Sequence, residues 1–134
     1  MRRTVAFLHE RHFTLKEAQS ALGTLRPLLE EMVECKRKLD DRGYNIYTHQ
    51  YFGGRGPNGQ KHYPVELERL VAILRRFEDS GVFVKGIEQG LLDFPHVRQN
   101  GEEVYLCYKV GEDAIRFWHS VESGFAGRRP LSDL

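Results

Sequence analysis

Leu91-Leu92-Asp93-Phe94-Pro95-His96-Val97-Arg98-Gln99-Asn100-Gly101-Glu102-Glu103-Val104-Tyr105-Leu106-Cys107-Tyr108-Lys109-Val110 is the stretch whose reading decides the fold. Two runs rich in aromatic and β-branched residues flank Asn100-Gly101, the dipeptide best suited to a tight type I′ hairpin turn. The expected strands are 91–99 and 103–110, antiparallel. Upstream, Val82-Phe83-Val84 begins a further strand. Downstream, Gly111-Glu112 fits a second tight turn, of the II′ kind, leading into a strand over 113–119. The reading is a three- to four-stranded antiparallel meander over about 82–119, with an irregular tail over 120–134.

N-terminal to the meander the period changes from two to about 3.6. Thr14-Leu15-Lys16-Glu17 is a capping box: the Thr14 hydroxyl accepts an amide of the first turn while Glu17 reaches back. Leu15, Ala18, Leu22, Leu25, Leu29, Met32, Lys36 and Leu39 then repeat at spacings of three and four, a narrow stripe broken only by Lys36. Pro27 predicts a kink, and Gly43 a left-handed cap. Pro64 stands where a second helix begins; its apolar face is Leu67, Leu70, Val71, Leu74 and Phe77, and it ends at Ser80-Gly81. Together these make an antiparallel two-helix hairpin over about 14–80, packed on the small sheet. The fold class is α+β, with residues 1–134 as one domain. A short strand is also expected over 4–8. Residues 44–63 have no periodicity, and their length without structure marks them as a functional or mobile loop.

Composition excludes several classes. A formal charge of +1 gives no global field for nucleic acid or membrane, and no apolar run is long enough to span a bilayer. Met1-Arg2-Arg3 precedes only a short apolar segment, too short for a signal-peptide core, so the expected compartment is the cytoplasm. Cys35 and Cys107 form neither a C-x-x-C pair nor a disulfide framework and read as reduced, small core residues. A sequence-specific nucleic-acid module is disfavoured, because the aromatic residues follow no recognised stacking motif.

The runs Gly90-Leu91-Leu92-Asp93-Phe94-Pro95, Leu106-Cys107-Tyr108-Lys109-Val110-Gly111-Glu112 and Trp118-His119-Ser120-Val121-Glu122-Ser123-Gly124-Phe125-Ala126-Gly127-Arg128 carry a family resemblance. With Phe13-Thr14-Leu15-Lys16-Glu17-Ala18, they resemble a bacterial family known as domain of unknown function 2203. The resemblance covers the first helix and everything from about Ser80 onward. Tyr108 stands where a tryptophan is more usual, and 44–63 follows no pattern of the family. The resemblance implies bacterial origin and supplies no activity, substrate or cofactor.

Four residues have metal-ligating chemistry: Asp93, His96, His119 and Glu122. Two-residue turns at both hairpins set a register that tests them. Val97 faces Val104 and then His119, while His96 faces Tyr105 and then Trp118. His96 and His119 fall on opposite faces, and Asp93 lies four residues from His119, roughly 13 Å at strand rise. That register disfavours a four-ligand centre for a divalent metal ion. His119-x-x-Glu122 is a narrower pair, base and orienter or two ligands, if the chain turns helically after the strand. Gly124-Phe125-Ala126-Gly127-Arg128-Arg129 offers two cationic forks near exposed amides and suits a small anion, carboxylate or phosphate, without being a P-loop. Its plainer role is a latch in which Phe125 packs down and Arg128 pairs with a carboxylate. Arg55, Lys61 and His62 extend a basic surface.

The long helix, about 25 residues or 38 Å, outreaches its partner of about 16 residues or 24 Å. The expected way to cover the remainder is a homodimer through the first helix; the alternative cover is the tyrosines of the middle loop and Phe52. The leading functional expectation is thus a dimeric cytosolic binding or interaction protein without catalysis. The alternative is a small metal- or His/Glu-dependent enzyme with its site around Trp118, His119, Glu122 and Arg128.

Overall fold

The first helix, α1, spans Leu15–Asp41 and runs unbroken through Pro27. Its capping box forms: the Glu17 amide donates to Thr14 Oγ1 at 3.1 Å, and the Thr14 amide donates to Glu17 Oε1 at 2.9 Å. Gly43 follows the C-terminus at φ 73°, the left-handed cap expected there. The computed structural model describes residues 6–48, 50–51 and 64–134. Tyr44–Asn45 (β1) pairs with Gln50–Tyr51 (β2) in a minimal hairpin, whose turn is held by Asn45 Oδ1 accepting the Tyr47 and Thr48 amides at 2.8 and 3.2 Å. The rest of the expected basic and aromatic loop, including Phe52, Arg55, Lys61 and His62, lies outside the described residues. So does the start of the strand expected over 4–8; its described part, 6–8, is not a strand.

The second helix, α2, spans Val65–Asp79 and buries Leu67, Leu70, Ile73 and Phe77. Ile73 takes the place expected for the half-exposed Val71. Ion pairs Arg69–Glu31 and Arg42–Glu66 run in opposite chain senses, so the helices are antiparallel.

Five strands follow in one antiparallel meander, with neighbours in chain order: β3 (Phe83–Gly86), β4 (Leu91–Val97), β5 (Glu103–Lys109), β6 (Phe117–Ser120) and β7 (Arg129–Pro130). The expectation of three or four strands falls short. The tail is not wholly irregular: Trp118 pairs with Arg129 and Phe117 with Pro130. Proline suits that edge, where no further ladder bond is asked of its nitrogen.

Both expected turns are wrong by one residue. Arg98 N–H donates to Glu102 O and Gly101 N–H to Arg98 O, each at 2.8 Å, giving a three-residue loop in which Gly101 takes φ 89°. His96 therefore faces Val104, and Pro95 faces Tyr105. The second connection is not a two-residue turn but the loop 110–116, whose first bend is closed by Glu112 N–H to Lys109 O at 3.0 Å. Its far side is clamped to α1. The Gln19 amide donates to Ile115 O at 2.8 Å and accepts the Ile115 N–H at 3.0 Å, with Ile115 buried. Burying Ile115 against α1 removes it from the strand and shifts β6, so that His119 faces Tyr105 and Trp118 faces Leu106.

Alternation then separates two faces of the sheet. Leu92, Phe94, Val104, Leu106, Tyr108 and Trp118 form the inner face and join α1 and α2 in one apolar core. The α1 stripe is buried along its whole length, from Ala18 to Leu39, with Tyr44 and Ile46 in the same core. The length mismatch is present, 27 residues in α1 against 15 in α2, but among the described residues the overhang is covered within the chain. Even Lys36, the break in the stripe, is buried and ion-paired to Asp40 at 2.5 Å. The outer face carries Leu91, Asp93, Pro95, Tyr105, Cys107, Phe117 and His119.

Candidate metal centre on the outer face of the sheet

Asp93 on β4, Cys107 on β5 and His119 on β6 converge on the outer face. Asp93 pairs directly with Cys107, and His119 is one diagonal step away across β5. The two register shifts together bring Asp93 and His119 two residues, roughly 7 Å, closer than two-residue turns would. His119 Nε2 lies 2.9 Å from Asp93 Oδ2, and one potential ligand atom from each of the three residues lies within 4.8 Å of the others. All three are buried: Asp93 is 0%, Cys107 1% and His119 3% exposed.

The hydrogen bonds fix what each group can do. His119 Nδ1 lies 2.8 Å from the Ser120 carbonyl, which only accepts, so Nδ1 carries a proton and donates it. The Nε2 lone pair then points at Asp93, and the pair holds a proton between them. Burial opposes the imidazolium, but the bonds to Asp93 and to the Ser120 carbonyl outweigh it and hold the His119 pKa above its ordinary value. The Cys107 thiol is pushed far up, first by burial and then by the Asp93 charge. Both effects favour the neutral thiol over the thiolate. Asp93 Oδ1 is buried without a hydrogen bond of ordinary geometry among the described residues. A carboxylate oxygen left so is costly unless something else takes its lone pairs.

A cavity of about 240 Å³ opens beside the cluster, lined by Lys85, Leu91, Tyr105, Val121, Gly124 and Phe125 together with the three polar residues. Its walls come from three places. Lys85 sits at a β-bulge, between the pairs Val84–Leu92 and Gly86–Leu91, and its Nζ stands 4.7 Å from the centre of the Tyr105 ring. Tyr105 OH meets His9 Nε2 at 2.5 Å, and the His9 ring lies 4.4 Å from that of Phe83. Burial and the charges of Asp93 and Glu103 keep the Tyr105 phenol protonated. The segment bearing His9 is held by Glu103, which accepts the Leu8 and His9 amides at 2.8 and 3.1 Å and meets His12 Nε2 at 2.7 Å. The third wall is the tail, 121–125.

Of the residues expected from the sequence, Asp93 and His119 are brought together and the others are not. Glu122 is exposed, and the ring nitrogens of His119 meet Asp93 and Ser120 instead. His96 lies on the strand positions of the opposite face and bonds the Phe13 carbonyl through Nδ1 at 2.7 Å. Trp118 belongs to the core, donating from Nε1 to the Pro130 carbonyl at 3.2 Å. Arg128 is a latch: one terminal nitrogen donates to both Glu112 oxygens at 2.7 and 2.8 Å, and the guanidinium lies 4.1 Å over Phe117 and 4.9 Å over Phe125. Its partner is thus Glu112, not Glu122. Cys107 is reduced and buried as expected, yet it faces the cavity rather than the core. Its alternation with Leu106 and Tyr108 carried that signal, once Leu106 is assigned inward. Lys85 had no comparable signal, since its position depends on the bulge.

The class these features define is an α+β chain with a buried Asp–Cys–His cluster on the outer face of a five-stranded meander, opposite the face that packs on α1 and α2. The chain belongs to the family of uncharacterized conserved proteins DUF2203, whose model matches residues 11–131. No curated protein and no solved structure matches it. No helix among the described residues is long and apolar enough to cross a membrane.

Proposed function

We propose that this chain is a binding protein for a divalent transition-metal ion of the zinc class, held by His119 Nε2, Asp93 and Cys107 Sγ. The observation that carries the reading is the convergence of three different donors, all buried, around a carboxylate oxygen that makes no hydrogen bond of ordinary geometry among the described residues. Nitrogen, oxygen and sulfur in one set suit a borderline-soft ion. The Nδ1–H bond from His119 to a backbone carbonyl is the usual outer support of a metal-bound imidazole, because it fixes the tautomer that leaves Nε2 bare. Tetrahedral bond lengths put donors roughly 3.5 Å apart, so closing on an ion asks for movements of about 1 Å from this geometry. Binding expels the thiol proton of Cys107 and the proton held between His119 and Asp93. A thiolate ligand calls for a reducing compartment, in keeping with the cytoplasmic setting expected from composition. The reading is metal binding because the three donors face one another and are buried together, with His119 Nδ1 already fixed by the Ser120 carbonyl.

The test is metal analysis of protein purified without a histidine tag, followed by zinc titration. One equivalent per chain is expected, with Asp93→Asn and Cys107→Ser each weakening binding by at least about tenfold, as removal of even an outer support does elsewhere. If well-folded parent protein takes up no zinc, or both variants bind it as the parent does, the proposal is wrong.

A further inference from the structure

Resting on that metal reading, we infer that the open coordination position is a receptor for a small carboxylate with a short hydrocarbon group, gripped by the ion on one side and by Lys85 on the other. Three protein donors leave a tetrahedral ion one position short, the pattern of sites that take an exchangeable ligand. The cavity lies directly beside the three donors.

Charge decides the kind of ligand. A dipositive ion with one carboxylate and one thiolate is neutral as a unit, since His119 binds as the uncharged ring. An added anion leaves one negative charge to balance, and Lys85 is the cation among the residues that line the cavity. Its placement is built into the backbone. The β3–β4 ladder slips at Lys85, and bulges of this kind re-aim a side chain beside a site. Its ammonium stands 4.7 Å from the Tyr105 ring and 5.7 Å from the Phe83 ring, whose faces hold it beside the cavity. Of the cations close by, Arg128 is already occupied by Glu112, and Lys109, whose Nζ lies 5.8 Å from the Phe125 ring, is not among the lining residues.

Size and lining narrow the choice. A volume of about 240 Å³ is below the roughly 300 Å³ from which drug-sized pockets begin. Space of that order suits a small ligand rather than a drug-sized one. Leu91, Val121 and Phe125 make the rest of the wall apolar, which favours a hydrocarbon group over a second charge. Inorganic phosphate would carry more charge than Lys85 balances and would leave those walls without a partner.

The experiment uses the full chain loaded with cobalt(II), whose visible spectrum reports both the thiolate bond and the fourth ligand. Butyrate is expected to shift the ligand-field bands in a saturable manner while the thiolate charge-transfer band persists. It should bind about tenfold more tightly than acetate, since two further methylenes are buried. Lys85→Met should weaken butyrate by about tenfold, and Lys85→Arg should restore most of it. If cobalt binds with its thiolate band but millimolar butyrate leaves the spectrum unmoved, the carboxylate inference is overturned and the metal reading stands. The inference also falls if acetate, phosphate and butyrate bind alike, or if Lys85→Met binds butyrate as the parent does. If no cobalt binds, the metal reading fails and this inference fails with it.

Discussion

The two faces of the sheet are made from the same strands, one residue out of step, and they follow opposite rules. The inner face is continuous hydrocarbon and aromatic surface: Leu92, Phe94, Val104, Leu106, Tyr108 and Trp118 fill the space against the helices. The outer face at the same depth of burial holds a carboxylate, a thiol and an imidazole. A fold needs only the first. Burying the second works against stability unless the polar groups satisfy one another, and Asp93 Oδ1 shows that they do not do so completely. The inner face is therefore what makes the chain fold, and the outer face is where it departs from what folding alone requires.

The largest expected effect comes from the inner side. Met32→Asp places a charge among buried α1 and sheet residues and should cost more than about 4 kcal/mol, abolishing the thermal transition. Circular dichroism with light scattering checks this. A variant that stays folded and merely changes its mass in solution would mean that the α1 stripe is an interface between copies rather than core.

An adjacent pair sharpens the comparison. Leu106→Ala should lose about 2–5 kcal/mol through the cavity it leaves, whereas Cys107→Ala, one residue on, should lose about 1 kcal/mol and all thiolate coordination. Urea unfolding of both variants, without added metal, measures the difference. Equal losses would show that the two faces do not divide core from site as described.

A further effect concerns register. Gly101→Val forces a β-branched residue to φ 89°, and because nothing lies within 4 Å of the added carbon the cost is backbone strain alone, about 1–3 kcal/mol. If this variant melts with the parent, the three-residue loop is misplaced, and with it the pairing that unites Asp93 with His119.

That last point shows where the sequence was legible and where it was not. The capping box at Thr14 and Glu17, the α1 stripe, the Pro64 start and the Asn100-Gly101 bend are local signals with local causes, and each stands in the structure. The strand faces are a different kind of fact. One residue of register inverts every side chain beyond it, and both pairings are offset by one from those that two-residue turns would set. The reason for the second lies far away in sequence, where Gln19 draws Ile115 out of the strand. Asp93 and His119 were recognisable as chemistry but not as neighbours. Cys107 reads as an inert core residue because a buried cysteine ordinarily is one, and only its face places it beside Asp93 and His119. The β7 pairing was hidden because Arg129-Pro130 has no strand pattern of its own.

The clamp between Gln19 and Ile115 also bears on the order in which the molecule is assembled. It joins the first turns of α1 to a loop 96 residues later, and two neighbouring ties are similarly remote: Phe13 N–H to Pro95 O at 2.7 Å, and the Leu8 and His9 amides to Glu103. Such contacts carry the entropic cost of closing a long loop before they return any stabilisation, and topologies rich in them fold slowly. Residues 8–19 therefore precede β4 and β5 in synthesis but can be seated only when those strands exist. Until then the α1 stripe lacks its sheet and the Asp–Cys–His cluster lacks its scaffold, so the cluster can assemble only after the last third of the chain has been made.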